Sequence, residues 1–270
     1  MKKKIISIVI NCFFVLLVAG TLVPFIYMVL TSFKQSYVTI DYSMDITKFN
    51  LKNYITIFRN YHFVLYFSNS VIVVFFACIL NGLFSSMAGF GFAKKRFAGR
   101  DQIFFIFLMT LMVPAQVTMI PVFVIMKKLQ WINTYQALFL PIINAFGVFL
   151  MRQFMLNIPD ELLEAAKIDG SSEFRTFTHI VLPMTKPALL SLTIFTFITC
   201  WNDFLWPLVI ITEGNMNTLT LALSKLHGNY STNYGLVMAG ATLSFLPPFI
   251  LYMVLQKKFV QGVTLSGMKG

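Results

Sequence analysis

Long apolar runs, separated by short polar or proline-bearing segments, set the pattern of this chain. The first run, Ile5 to about Leu30, follows directly on Met1-Lys2-Lys3-Lys4. The second, Phe63 to about Ala93, carries no charge and is longer than a bilayer requires, so it should tilt or project beyond the hydrocarbon. Further runs cover Ile103 to Met126, Gln136 to Leu156, Pro187 to Ile211 and Gly235 to Gln256. Crossing about 30 Å of hydrocarbon takes roughly 20 apolar residues in a helix. The pattern therefore predicts an all-α membrane protein, a polytopic bundle of about six transmembrane helices, with residues 1–270 as a single membrane domain. The first run is too long for a secretory leader and lacks a small-residue cleavage pattern, so it is expected to be retained.

One polar stretch interrupts this pattern. Leu156 to Pro187 reads LNIPDELLEAAKIDGSSEFRTFTHIVLPMTKP. Asp160, Glu161, Glu164, Asp169 and Glu173 lie in it, half of the 10 acidic residues of the chain. Leu162 and Ala166 fall one helical turn apart, as do Ala165 and Asp169, which predicts a short amphipathic helix. Pro159 suits its first turn, where a missing N–H costs nothing, and Asp160 and Glu161 sit where the helix dipole favours carboxylates. Gly170 can adopt the left-handed conformation that ends a helix, and Ser171 can cap a second helix running through Phe174 and Phe177. The expected unit is helix, sharp turn, helix.

Small residues Gly82, Ser85, Ser86, Ala88, Gly89, Gly91 and Ala93 line the second half of run two and allow close helix approach. Pro114, Gln116 and Pro121 interrupt run three, and Pro141, Asn144 and Gly147 interrupt run four. Such breaks fit either helix packing or a water-filled path that satisfies the freed backbone groups. Run five contains Trp201-Asn202-Asp203-Phe204-Leu205-Trp206-Pro207, and run six the pair Pro247-Pro248. The segments Phe33 to His62 and Thr212 to Tyr234 read as exterior loops, and Phe259 to Gly270 as a short tail.

Composition agrees with a bilayer: 57% hydrophobic residues, 30 Phe and a mean hydropathy of +0.76 place the chain outside the soluble range. The net charge of +11 sits in clusters at the ends of apolar runs, which points to membrane orientation and away from nucleic acid. Lys94, Lys95, Arg96 and Arg100 follow run two. Arg152, Lys167, Arg175 and Lys186 surround the acidic stretch, and Lys257, Lys258 and Lys269 close the chain. Both termini are then expected in the cytoplasm, although Lys34, Lys48, Lys52 and Arg59 fall outside. Cys12, Cys78 and Cys200 lie in apolar runs without metal-ligand spacing and read as packing residues, so no metal site is expected. His62, His179 and His227 are predicted in loops. No phosphate-cradling GxxxxGK[ST] motif, no HExxH and no GxSxG occurs, so no catalytic residue is assigned. The run interiors lack the chains of buried ionisable residues that proton-coupled pumps use, which disfavours a secondary transporter. A cytoplasmic helix-turn-helix with carboxylates on one face and Leu162, Leu163, Ile168, Phe174 and Phe177 nearby fits a groove on a soluble protein better than an anionic lipid surface.

Glu164-Ala165-Ala166, three residues, Gly170, nine residues and Ile180-Val181-Leu182-Pro183 resemble, position by position, the EAA-x3-G-x9-I-x-L-P loop of bacterial ABC importer permeases. ELLEAAKIDG, WNDFLWPL and the closing KKFVQGVTLSGMKG are similar to the carbohydrate-uptake branch, the MalG-like subunits, and the resemblance covers nearly the whole chain. It implies that residues 157–187 couple the bundle to an ATPase through Glu164, Ala165, Ala166, Asp169, Gly170, Phe174, Ile180, Leu182 and Pro183. Glu164 and Asp169 would make charge-assisted contacts, the alanines permit close approach, and Gly170 makes the turn. The implied partners are a second, MalF-like permease, two copies of an ABC ATPase that uses ATP and Mg, and an extracellular solute-binding protein. No cofactor is bound by this chain itself. The implied location is a bacterial inner membrane, and the implied substrate a sugar or oligosaccharide, with glycerol-3-phosphate as the runner-up. Trp201, Asn202, Asp203 and Trp206 fit either an outer gate with sugar contacts or an interfacial aromatic belt.

Overall fold

A computed structural model describes residues 2–37, 46–226 and 233–267. The described residues are helical with intervening turns, and no strand occurs among them. Met1, His227 and Lys269 lie outside them. In chain order the α-helices are α1 Lys2–Ser32, α2 Lys52–Asn60, α3 Phe63–Lys94, α4 Arg100–Thr110, α5 Ala115–Lys128, α6 Tyr135–Phe139 and α7 Ala145–Leu156. They continue with α8 Asp160–Ile168, α9 Glu173–Thr176, α10 Leu182–Met184, α11 Lys186–Trp201, α12 Leu205–Ile210, α13 Leu219–Ser224 and α14 Tyr234–Gly267.

Among the described residues, three stretches, Ile6–Ser32, Phe63–Lys94 and Tyr234–Gln256, are each long and apolar enough to cross a membrane. Six result if each of three bent helix pairs counts as one span. The bends have local causes. Pro114 brings no N–H and takes φ −59°, ψ 133°, so α4 and α5 meet at 102°. Ile143 and Asn144 are extended, and the Asn144 side chain accepts the Gly147 amide at 3.3 Å to start α7, leaving a 45° bend. Helix 173–184 turns by 77° into α11 at Thr185, and Pro187 sits in the first turn that follows. Pro121, by contrast, lies inside α5 without ending it.

Several sequence expectations change. Run five is not one helix, since α11 ends at Trp201 and α12 starts at Leu205. Expected tail residues from Phe259 to Gly267 continue α14. His179 is helical, within a π-turn over Phe177–Val181. The segment from Phe33 to His62 contains α2, and the one after Thr212 contains α13.

The chain forms two compact units. One comprises Met1–Leu65 and Ala222–Pro247. In it Asn53 is buried and donates through Nδ2 to the carbonyls of Ser32 at 2.9 Å and Lys34 at 2.7 Å. These carbonyls lie at the last residue of α1 and two residues beyond it, where no helical partner is available, so one amide side chain closes the end of the span. Gly235 lies against the Lys34 carbonyl, where a side chain would not fit.

The second unit, Tyr66–Leu221 with Pro248–Gly270, holds the main core. Phe90 of α3, Met151 and Met155 of α7, Ile158, Phe177, Val181, and Ala188 and Leu192 of α11 pack together. Small residues let α3 approach α7, because Gly89 lies over the Met151–Arg152 backbone and Gly147 lies over the Ser85 side chain. Buried polar groups on the same helices are paired. Asn81 donates to Thr196 Oγ1 at 2.8 Å, Ser85 to Asn81 Oδ1 at 3.1 Å, and Thr196 to the Leu192 carbonyl at 2.8 Å. Within a membrane each such bond contributes about 0.6 kcal/mol on average, less than close packing but enough to fix rotational register.

Candidate functional site

The acidic stretch folds as helix, turn, helix. Asp160 and Glu161 occupy the first turn of α8 and Lys167 its last, each charge opposed to the nearby end of the helix dipole. Gly170 takes φ +76°. Its amide reaches the Lys167 carbonyl at 3.1 Å and the Ser171 amide reaches the Ala166 carbonyl at 2.9 Å, the paired bonds of a Schellman termination. The second helix is capped by Ser172, whose Oγ accepts the Arg175 amide at 3.3 Å. The expected cap was Ser171, but its own N–H is consumed in closing α8, and the following serine is the one in extended geometry.

The residues matching the EAA motif divide by face. Ala166 is buried, while Ile180 and Leu182 are half-buried, Leu182 against the core of the second unit. Glu164, Ala165, Asp169, Gly170, Phe174 and Pro183 are exposed. Two large apolar side chains project on either side of the glycine turn, Ile168 at 86% exposure and Phe174 at 70%. A single apolar side chain on a surface is unremarkable, but two flanking the same turn form an exposed apolar knob. Phe177 and Val181, one and two turns beyond Phe174, are buried in the core with Phe90, Met151 and Met155. A displacement of the turn would therefore reach α3, α7 and α11 through packed side chains.

Two lysines at the end of α3, expected only to orient the chain in the membrane, fasten this element. The Lys94 side chain is 5% exposed, and its Nζ donates to the Ile158 carbonyl at 2.5 Å and to Asp160 Oδ1 at 2.6 Å. Lys95 pairs with Glu173 and lies 5.0 Å from the centre of the Phe90 ring. The signal was available as charge complementarity, since a basic cluster at 94–100 faces acids at 160–173. Asp160 and Glu173 are thus engaged within the chain, while Glu164 and Asp169 have no ion pair among the described residues.

The hydrogen bond from Lys94, and then its positive charge, hold the Asp160 carboxyl below the ordinary 3.8. A depressed carboxylate pKa stabilises the folded arrangement fully above the ordinary value and loses that contribution as pH falls through the folded one. Amide exchange of residues 158–170, corrected for intrinsic rates, should therefore stay constant from pH 7 to ~pH 4 and rise only below it. An opening between pH 6 and 5 would contradict the pairing.

The tryptophan-rich segment separates into two environments. Trp201 is buried, stacked on Phe197 with ring centres 5.6 Å apart and edge-on to Phe67 at 5.9 Å. Asn202 is exposed and donates to the Ile198 carbonyl at 3.0 Å, closing α11. Asp203 accepts the Trp206 amide at 3.3 Å, and Trp206 Nε1 donates to the Ala137 carbonyl at 2.7 Å. Asp203 and Trp206 border a cavity of about 390 Å³ that Trp201 and Asn202 do not line. No group of three or more His, Cys, Asp or Glu residues suited to a metal occurs among the described residues.

The fold matches a crystal structure of a bacterial ABC transporter involved in the import of the acidic polysaccharide alginate. The TM-score is 0.86, with 96% of this chain and 98% of that chain covered at 23% identity. In sequence, the chain is 37% identical to the arabinooligosaccharides transport system permease protein AraQ of Halalkalibacterium halodurans, over 100% of both proteins. It is also 37% identical to the sn-glycerol-3-phosphate transport system permease protein UgpE of Salmonella typhi, over 74% of this chain and 73% of that protein. A family match over residues 81–265 takes in the basic end of α3, the whole glycine turn and the broken α11–α12 segment, and by it this chain belongs to the binding-protein-dependent transport system inner membrane components.

Proposed function

We propose that this chain is the permease subunit of an ATP-driven importer that carries a sugar or oligosaccharide into the cytoplasm, with residues 1–270 working as one membrane domain. The observation that carries the proposal is the exposed Ile168–Gly170–Phe174 knob on a turn whose next residues, Phe177 and Val181, are sealed into the helical core. A separate ATPase pair would supply ATP and Mg chemistry and grip that knob. Glu164 and Asp169 would add charge-assisted contacts, Ala165 would allow close approach, and Ile180, Leu182 and Pro183 would carry the motion inward. Closure of the ATPases would bias the bundle between inward- and outward-facing states. A second permease and an external solute-binding protein complete the assembly, in a bacterial cell membrane with both termini of this chain cytoplasmic. Full-length similarity to an arabinooligosaccharide permease supports the saccharide assignment, and the shorter match to a glycerol-3-phosphate permease supports the alternative.

Purification of the assembled complex and ATP-dependent uptake into proteoliposomes test the proposal. Ile168→Asp and Phe174→Asp alter exposed positions, so the chain should still fold, while retention of the ATPase should fall at least about tenfold, as for an interface hot spot. Wild-type ATPase yield in both variants would refute docking at this turn.

A further inference from the structure

The cavity of about 390 Å³ lies where three helix interruptions converge: the start of α5, the α6–α7 break and the α11–α12 break. Its volume is within the ~300–1,000 Å³ of small-molecule sites. Some of its polar lining serves the fold: Thr118 donates to the Ala115 carbonyl, and Asn144 is committed to the start of α7. The rest does not. The side chains of Gln116 and Thr199 have no hydrogen-bond partner among the described residues. Asp203 spends part of its acceptor capacity on the amides of Trp206 and Leu205, but a carboxylate offers about four acceptor positions. The indole of Trp206 is held in place by its bond to the Ala137 carbonyl, giving the cavity an aromatic wall of fixed orientation.

The charge of this lining is informative. No lysine, arginine or histidine borders the cavity, and its one ionisable side chain is an acid. An anionic solute would meet repulsion from Asp203 and find no cation, and within an apolar surround that repulsion is weakly screened. A neutral polyol is different. Each hydroxyl both donates and accepts, so it can donate to Asp203 and accept from the Gln116 amide, while ring C–H groups lie on an indole face. We infer that this cavity is a contact site for an uncharged, hydroxyl-rich solute, with Gln116, Thr199 and Asp203 as its hydrogen-bonding groups and Trp206 as its wall. The inference rests on the importer proposal above and narrows it, placing a saccharide contact in this subunit and disfavouring phosphorylated or acidic solutes.

The test uses the complete complex with its binding protein in proteoliposomes, supplied with a panel of neutral arabino-, xylo-, malto- and galacto-oligosaccharides and, separately, with sn-glycerol-3-phosphate. Asp203→Asn keeps a side chain able to cap α12, so folding should survive. For whichever saccharide the wild type carries, uptake at subsaturating concentration should fall at least about tenfold in Asp203→Asn, the loss expected for a hydrogen bond to a charged acceptor. Gln116→Leu should fall in the same direction. In both, the saccharide concentration for half-maximal uptake should rise while ATP hydrolysis by the complex is kept. Wild-type uptake by both variants, or glycerol-3-phosphate uptake equal to that of the saccharide in the wild type, would overturn the inference. A wild-type complex that carries no saccharide of the panel would instead overturn the importer proposal on which it rests.

Discussion

Gly89→Val should prevent the second unit from folding, whereas Gly91→Ala, two residues along the same helix, should leave it unchanged. A Cβ at position 89 would lie 2.8 Å from Met151 Cβ and 2.9 Å from the Arg152 amide nitrogen. The second of these is backbone within a regular helix, so no rotamer change relieves the clash. The helices must separate. Overpacking by a single methyl costs about 1–3 kcal/mol, and two further methyl groups add to it where α3 lies over the α7 backbone. Separation would also loosen the Phe90–Met151–Met155 cluster and draw Arg152 from its position 4.1 Å above the Phe104 ring. At position 91 an added Cβ meets nothing within 4 Å, and alanine is the better helix former. Monodisperse yield and thermal stability of the purified chain check the pair. Equal behaviour of the two variants would show that α3 and α7 do not meet through Gly89.

The same contrast shows what can be read before the fold is known. A run containing Gly82, Ser85, Ser86, Gly89 and Gly91 announces a helix that others approach, but period alone does not say which glycine faces the neighbour and which faces away. Local signals were more complete in the acidic stretch. The glycine turn, the carboxylates in the first turn of α8 and the amphipathic pattern are all set within a few residues, and they reappear as the Gly170 termination and the exposed Ile168 and Phe174. The choice between Ser171 and Ser172 as cap was not legible, because it depends on which amide the preceding helix consumes. Nor was the interruption at Asn202–Phe204, since the apolar run continues through it and Trp206, whose amide Asp203 accepts, is also held by the distant Ala137 carbonyl. At the other end, nothing local in Lys257 and Lys258 stops α14, although charge there suggested the end of a span. The cavity residues Gln116 and Thr199 come from separate runs, and only the fold brings them to Asp203.

The pairing least visible in sequence carries the other large expected effect. Lys94 and Asp160 are separated by 66 positions, yet the ammonium joins the end of α3 to both the Ile158 carbonyl and the first residue of α8. Lys94→Met keeps the apolar stem and removes the donor, leaving α8 without that tie. The exposed Ile168 and Phe174, proposed above to dock the ATPase, are untouched, so ATPase retention should stay at the wild-type level while solute uptake per ATP hydrolysed falls at least about tenfold, the loss expected when a hydrogen bond to a charged group is removed. Lys95→Met provides the comparison. Its pair with Glu173 is 35% and 70% exposed, a surface arrangement of the kind that contributes about 0–1 kcal/mol. Lys94 is different, because its side chain is 5% exposed and its removal takes two bonds at once, to the Ile158 carbonyl and to Asp160, from the join between α3 and α8. Uptake per ATP should therefore separate the two lysines clearly, with Lys94→Met strongly uncoupled and Lys95→Met close to wild type. Equal uptake ratios in the two variants, or loss of ATPase binding in Lys94→Met, would mean that the tie between α3 and α8 does not transmit the motion of the turn.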